Sequence, residues 1–257
     1  MPHGTTWFDL LFTDMQAWRL KLQDALGTSY ANDADISIQF VVAFAFVGLL
    51  LIGLVLSVHP KISNIKKALI PDGRFTLRTF FEMMIEGTLS TMEKSMDRKP
   101  ALFFLPLIGS CAFLIFFSNL LGLVPGFEPP TANLNTTLAM AIVIFFTTHI
   151  YGVKNNGIGY FAHFFGPIRK WYALPLMLLM FCIELISHLA RPLSLSVRLM
   201  GNMFADHKVV ATFTLLVPLL VPVPMLLLGV VVCLVQVAVF CILSIVYIGM
   251  AIAHEEH

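Results

Sequence analysis

The chain has 257 residues, of which 58% are hydrophobic and 12% charged, with a formal net charge of +1. An average soluble domain carries roughly 25% charged residues, and a soluble protein this apolar would expose large greasy patches and aggregate. The bilayer is the solvent that suits the composition. The near-zero charge carries no signal for nucleic acid, and no nucleic-acid partner is expected.

Residues 1–35 read as an external N-terminal segment. They lack the basic start of a cleavable signal peptide and carry Asp9, Asp14, Asp24, Asp33 and Asp35 against Arg19 and Lys21. Residues 7–22 are weakly amphipathic and suited to a membrane surface. Residues 36–58 contain no Lys, Arg or Glu and form the first transmembrane helix, ended by His59-Pro60. Residues 59–100 form a cytoplasmic-side segment. Within it, residues 75–96 mix Phe80, Phe81, Met84, Ile85 and Leu89 with Glu82, Glu86 and Glu93, as an interfacial amphipathic helix does.

Residues 101–153 form a transmembrane pair. The first member, 101–124, contains Pro106 and Asn119, and Pro125-Gly126 with Pro129-Pro130 make a turn. The second, 134–153, closes at Lys154-Asn155-Asn156-Gly157. Residues 154–257 comprise a loop and a long tilted helical hairpin: 171–218 and 225–253, with the turn at Pro218, Pro222 and Pro224. Both arms exceed the length of a perpendicular span, so they tilt or bend. The expected fold is an all-α membrane protein: transmembrane helices, an amphipathic interfacial helix and this hairpin.

Eight of the sixteen Lys and Arg residues lie between 59 and 100: Lys61, Lys66, Lys67, Arg74, Arg78, Lys94, Arg98 and Lys99. Lys154, Arg169 and Lys170 follow the third span, whereas the turn at 125–133 has no Lys or Arg. The positive-inside rule puts the basic segments in the cytoplasm, the N-terminus outside and the C-terminus in the cytoplasm. Cys111, Cys182, Cys233 and Cys241 lie in apolar runs with no CxxC pair, and read as small buried hydrophobes.

The informative stretch runs from Glu184 to Lys208. Charges at membrane depth cost about 2.5–3.5 kcal/mol each on insertion scales and face a protein interior or a water path. Glu184, Arg191 and Arg198 are spaced seven apart and drift only about 20° per step on a helix. His188, Asn202 and Asp206 join them in a sector roughly 80° wide, while His207 points to about the opposite side from Arg198. Pro192 is placed to kink the helix. A salt-bridged helix pairing Glu184 with His188 or Arg191 is the plain structural alternative. It fails for Arg198, which has no acidic residue three or four positions away, and the last helix has none before Glu255. A guanidinium cannot shed its proton to escape burial. A carboxylate from another subunit, or a translocated anion, is therefore implied. On the last helix Gln236 and Tyr247 are eleven apart and share a face with Gly229, with Ser244 nearby.

The run Arg191-Pro192-Leu193-Ser194-Leu195-Ser196-Val197-Arg198-Leu199-Met200-Gly201-Asn202-Met203 resembles the arginine motif of subunit a of F-type ATP synthases. Ser118-Asn119-Leu120-Leu121-Gly122-Leu123-Val124-Pro125, Thr131 to Thr137, Gln236, Ile245-Val246-Tyr247 and the closing Glu255-Glu256-His257 carry the same resemblance, which covers about residue 40 to the end. It implies a proton-translocating stator subunit of a bacterial inner membrane. Its partners would be the c-subunit ring, the b-subunit peripheral stalk and the remainder of the complex, with membrane lipid around it and no cofactor or metal. The ATP chemistry would belong to the soluble head.

By this resemblance Arg198 is the essential arginine facing the rotor ring and separating two half-channels. Glu184, Arg191 and Asn202 are polar positions around it. Asp206 and His207 line the outer half-channel, and Gln236 stands opposite the arginine. Glu184 and His188 are candidate inner relays, and Tyr247 completes the proton path. There are two departures from the family pattern. Asn133 stands where aspartate is frequent, with Glu128 nearby as a substitute. Gly229 stands where some members have histidine, and Asp206 where they have a small residue. Two other function classes are weaker. A secondary transporter would use Arg198 for an anionic substrate, but no internal repeat is visible. A metalloenzyme would need clustered ligands, and His254-Glu255-Glu256-His257 is not an HExxH motif.

Overall fold

A computed structural model of the chain describes residues 38–62, 76–124, 126–157, 174–216 and 222–252. The N-terminal segment, Lys66, Lys67, Arg74, Arg169, Lys170, the residues joining the hairpin arms at 217–221 and the His254 to His257 terminus lie outside them. Six α-helices account for almost all of the described residues: α1 (Ile38–Ile62), α2 (Leu77–Glu93), α3 (Arg98–Gly122), α4 (Leu134–Asn156), α5 (Leu174–Leu216) and α6 (Pro222–Ile252). A single 3-10 turn, Pro130–Ala132, precedes α4, and no strand occurs among the described residues. All but α2 are long and apolar enough to cross a bilayer. The protein is an all-α membrane protein.

Helix α5 spans 43 residues, or about 65 Å at 1.5 Å per residue. The hydrocarbon core is only about 30 Å thick, so α5 is longer than a perpendicular crossing needs. Pro192 lies inside α5 without ending it. It removes only the N–H that would bond the His188 carbonyl. Across its most apolar window only 6% of α5 is buried, against 33% for α3, α4 and α6. Leu178, Ile186, Leu189, Leu193, Val197 and Phe204 are exposed, which leaves one face of α5 to lipid or a partner.

Local chemistry explains where the shorter elements begin and end. Thr76 caps α2 by accepting the Thr79 backbone N–H. On α2, Phe81 and Met92 are buried while Glu82, Glu86 and Glu93 are exposed. Asn133 caps α4: its Oδ1 accepts the Asn135 N–H at 2.9 Å. Gly157 closes the same helix with φ of 58° and an N–H donated to the Val153 carbonyl at 2.8 Å, a left-handed stop that glycine adopts without strain.

The residues fall into two compact units. The first holds α1, the end of α3 with the following turn, and residues 201–216 and 222–235. There, α1 packs on the 3-10 turn. Thr131 donates to Asn119 Oδ1 at 2.6 Å, both residues being fully buried, and Gly122 leaves room for the Pro129 ring. The second unit holds α2 and residues 98–112, 137–157, 174–200 and 236–252. Its core includes Phe104, Ile108, Ile144, Leu199, Phe240, Ile245 and Ile248. Phe103 and Phe104 meet the Tyr151 ring edge-on at 5.3 and 4.9 Å. Gly249 brings α6 against the Ser95 carbonyl, where an added Cβ would lie 3.1 Å from the oxygen.

The cysteines divide. Cys233 and Cys241 are buried and Cys111 is half-buried, but Cys182 is exposed. The expectation of burial is wrong for Cys182, because its run of apolar neighbours is the open face of α5 rather than a core.

Candidate functional site

The covered face of α5 runs along Leu195, Ser196, Leu199 and Met203, all buried. On a helical projection these four occupy a sector roughly 100° wide. Asn202 falls about 20° and Arg198 about 60° outside one edge of it, and both are exposed. His207 falls just beyond the other edge and is half-buried.

Arg198 makes no hydrogen bond or ion pair with any described residue. It stands in an apolar helix beside exposed Val197 and buried Leu199. A guanidinium keeps its charge in any surroundings. In lipid such a group needs an anion or water.

In the second unit the upstream polar residues of α5 find partners. Glu184 Oε1 lies 3.1 Å from His188 Nε2, one turn on. Arg191 does not join that pair. Its guanidinium carbon sits 5.3 Å from the centroid of the Tyr247 ring of α6, a cation–π geometry. His188 also meets the ring of His149 on α4, edge-on, at 5.2 Å between centroids. His149, His188, Arg191 and Tyr247 line one cavity of about 20 Å³, with Phe145 and Pro192 among its apolar walls. Gln236 and Ser244 of α6 are buried in the same unit.

His149 was not singled out from the sequence. The available signal was an ionisable side chain inside an otherwise uncharged span. Period-based reading of α5 alone could not show that α4 turns this residue toward His188.

In the first unit, Asp206 and His207 are half-buried on α5. The exchange between Asp206 and Gly229 has a geometric counterpart. A Cβ on Gly229 would lie 2.9 Å from Asp206 Oδ2 and 2.6 Å from Leu123 Cδ2, so the carboxylate occupies space that only glycine leaves open. Asn119, whose Oδ1 holds Thr131, is buried in this unit, and Cys233 donates to the Phe116 carbonyl at 3.7 Å. Glu128 is half-buried in the turn. Asn133, the other departure, caps α4 through the same side-chain oxygen that an aspartate would present. Among the described residues no three His, Cys, Asp or Glu side chains stand close enough to share a metal ion.

A family model described as ATP synthase A chain matches residues 40–249. Among curated proteins, the chain is 48% identical over 179 residues to ATP synthase subunit a of Geobacter sulfurreducens, covering 70% of this chain and 74% of that one. It is 46% identical over 192 residues to ATP synthase subunit a 2 of Syntrophotalea carbinolica, covering 75% and 78%. It is 41% identical over 232 residues to ATP synthase subunit a 1 of the same organism, covering 90% and 93%. With five helices among the described residues long and apolar enough to cross a membrane, a family match across most of its length and relatives of this kind, the chain belongs to the ATP synthase A chain family.

Proposed function

We propose that this chain is the proton-translocating stator of the membrane sector of a rotary ATP synthase. It offers two half-channels to a carboxylate on a ring of c subunits, and Arg198 separates them. The observation that carries the reading is Arg198 itself: an exposed, permanently charged side chain on an apolar helix, with no anion from the described residues beside it. A moving carboxylate on a partner supplies the missing anion.

The mechanism follows from the energetics of charge in lipid. A rotor carboxylate crosses hydrocarbon only when neutral, because burying its anion costs many kcal/mol. Protons enter from outside past Asp206 and His207 and neutralise it. The ring then turns through lipid. At the inner half-channel the proton leaves by way of His188 and Glu184, whose side chains already share a contact. The resulting anion passes Arg198, which balances its charge. The same fixed cation repels protons, so the two water paths stay electrically apart. Asn202 flanks Arg198 one turn on, and Gln236 and Tyr247 supply the polar face of α6. Arg191, held over Tyr247, lines the inner cavity. A membrane potential of 100 mV contributes about 2.3 kcal/mol per charge moved.

In this reading residues 1–35 lie outside, 59–100 line the cytoplasmic surface and 154–257 form the loop and hairpin that face the ring. The b-subunit stalk and the soluble head complete the complex in a bacterial inner membrane. The reading is tested by ATP-driven proton pumping in inverted vesicles carrying Arg198→Ala. Pumping is expected to vanish, and retention of full coupled pumping would overturn the assignment.

A further inference from the structure

His149 supplies chemistry that the scheme above leaves unused. Its Nδ1 lies 2.9 Å from the Phe145 carbonyl oxygen, one turn earlier on α4. A carbonyl only accepts, so Nδ1 carries the hydrogen. That bond fixes the tautomer and makes Nε2 the nitrogen that takes up and releases a proton. The Phe145 ring tilts against the imidazole at 4.1 Å between centroids and holds its plane. The ring faces the cavity of about 20 Å³ that it shares with His188, Arg191 and Tyr247. A buried water needs about 10–15 Å³, which the cavity offers, with the polar side chains of His149, His188, Arg191 and Tyr247 among its lining.

The charged and titratable groups around His149 are His188 and Arg191 from α5 and Tyr247 from α6, with Glu184 behind His188. Helix α4 thereby contributes a proton-transfer group to a path otherwise assigned to α5.

We propose that His149 is a proton-relay residue of the inner exit path, receiving through the water-sized cavity the proton that His188 gives up. Nε2 of His149 gains one proton from that water, which makes the ring an imidazolium, and the same nitrogen then gives one proton to solvent water at the exposed side of the half-buried ring, while Nδ1 keeps its hydrogen. The proposal rests on the stator reading given above.

The test uses the intact complex in inverted vesicles, whose outer face is the cytoplasmic one, with pumping rates taken per assembled complex. His149→Asn keeps an amide N–H near Nδ1 for the Phe145 carbonyl but cannot titrate. His149→Gln places its amide near Nε2 instead. Both are expected to slow ATP-driven pumping by about tenfold or more, since a positioned proton-transfer group contributes about 10²–10⁴-fold in rate. Imidazole added outside is expected to restore most of the lost rate, which a structural defect would not allow. Wild-type rates in either variant would overturn the proposal, as would a loss that imidazole leaves unchanged. Arg198→Ala is measured alongside. If that variant pumps normally the stator reading fails. If it is inactive while His149→Asn pumps normally, only the relay role fails.

Discussion

Replacing Gly229 with alanine perturbs the packing around Asp206 at one atom. The new methyl carbon would lie 2.6 Å from Leu123 Cδ2 and 2.9 Å from Asp206 Oδ2. The Leu123 methyl can swing aside for about 0.5–1.5 kcal/mol. The Asp206 carboxylate must also shift from a half-buried position. Overpacking of this kind costs about 1–3 kcal/mol, while alanine in place of a helical glycine returns about 1 kcal/mol. The expected net effect is a loss of up to about 2 kcal/mol. Gly48 is the control: nothing lies within 4 Å of a Cβ built there, so Gly48→Ala is expected to be neutral or to gain up to about 1 kcal/mol. The assay is thermal loss of folded subunit from the detergent-solubilised complex, for each variant alone and combined with Asp206→Ala. Removing the carboxylate removes one of the two contacts. The double variant is therefore expected to be less destabilised than the sum by about 0.5 kcal/mol or more. Strict additivity, or a Gly229→Ala as well tolerated as Gly48→Ala, would refute the close packing of Asp206 on α6.

Three further outcomes are expected. Thr131→Val removes the donor to Asn119 Oδ1 at a fully buried site and should destabilise the complex by about 1–3 kcal/mol in the same thermal assay, whereas Thr131→Ser keeps the hydroxyl and should be close to wild type. A double-mutant cycle of Arg191→Gln and Tyr247→Leu should give a coupling of about 0.5–2 kcal/mol from the cation–π contact, and zero coupling would remove that contact from the account. Arg198→Lys should pump far more slowly than wild type, because an ammonium differs in reach and can release its proton, and wild-type pumping in this variant would argue against a guanidinium-specific role.

The helices were legible because long uninterrupted apolar runs admit few other structures in a bilayer. Proline and glycine marked most of their ends: Gly157 stops α4, and Pro222 begins α6. The seven-residue spacing of Glu184, Arg191 and Arg198 was visible for the same reason, since one helix imposes one period. What could not be read was any choice between partners on different helices. The sequence left Glu184 open to pairing with His188 or Arg191; Arg191 stacks on Tyr247, while Glu184 meets His188. His149 shows the limit most plainly. Its spacing on α4 carries no information about α5, and only packing brings the two imidazoles together. Cys182 was misjudged because apolar neighbours signal burial in a soluble protein, whereas on α5 they line an open face.

The central claim is that Arg198 keeps two water paths apart while a partner carboxylate passes. Its most direct measure is passive proton entry into vesicles bearing the membrane sector, driven by an imposed potential, with the soluble head attached so that the ring cannot turn. Wild-type vesicles are expected to stay tight and Arg198→Ala vesicles to leak, because without the guanidinium the rotor carboxylate can exchange protons with both paths in place. Arg198→Ala vesicles as tight as wild type would contradict the account.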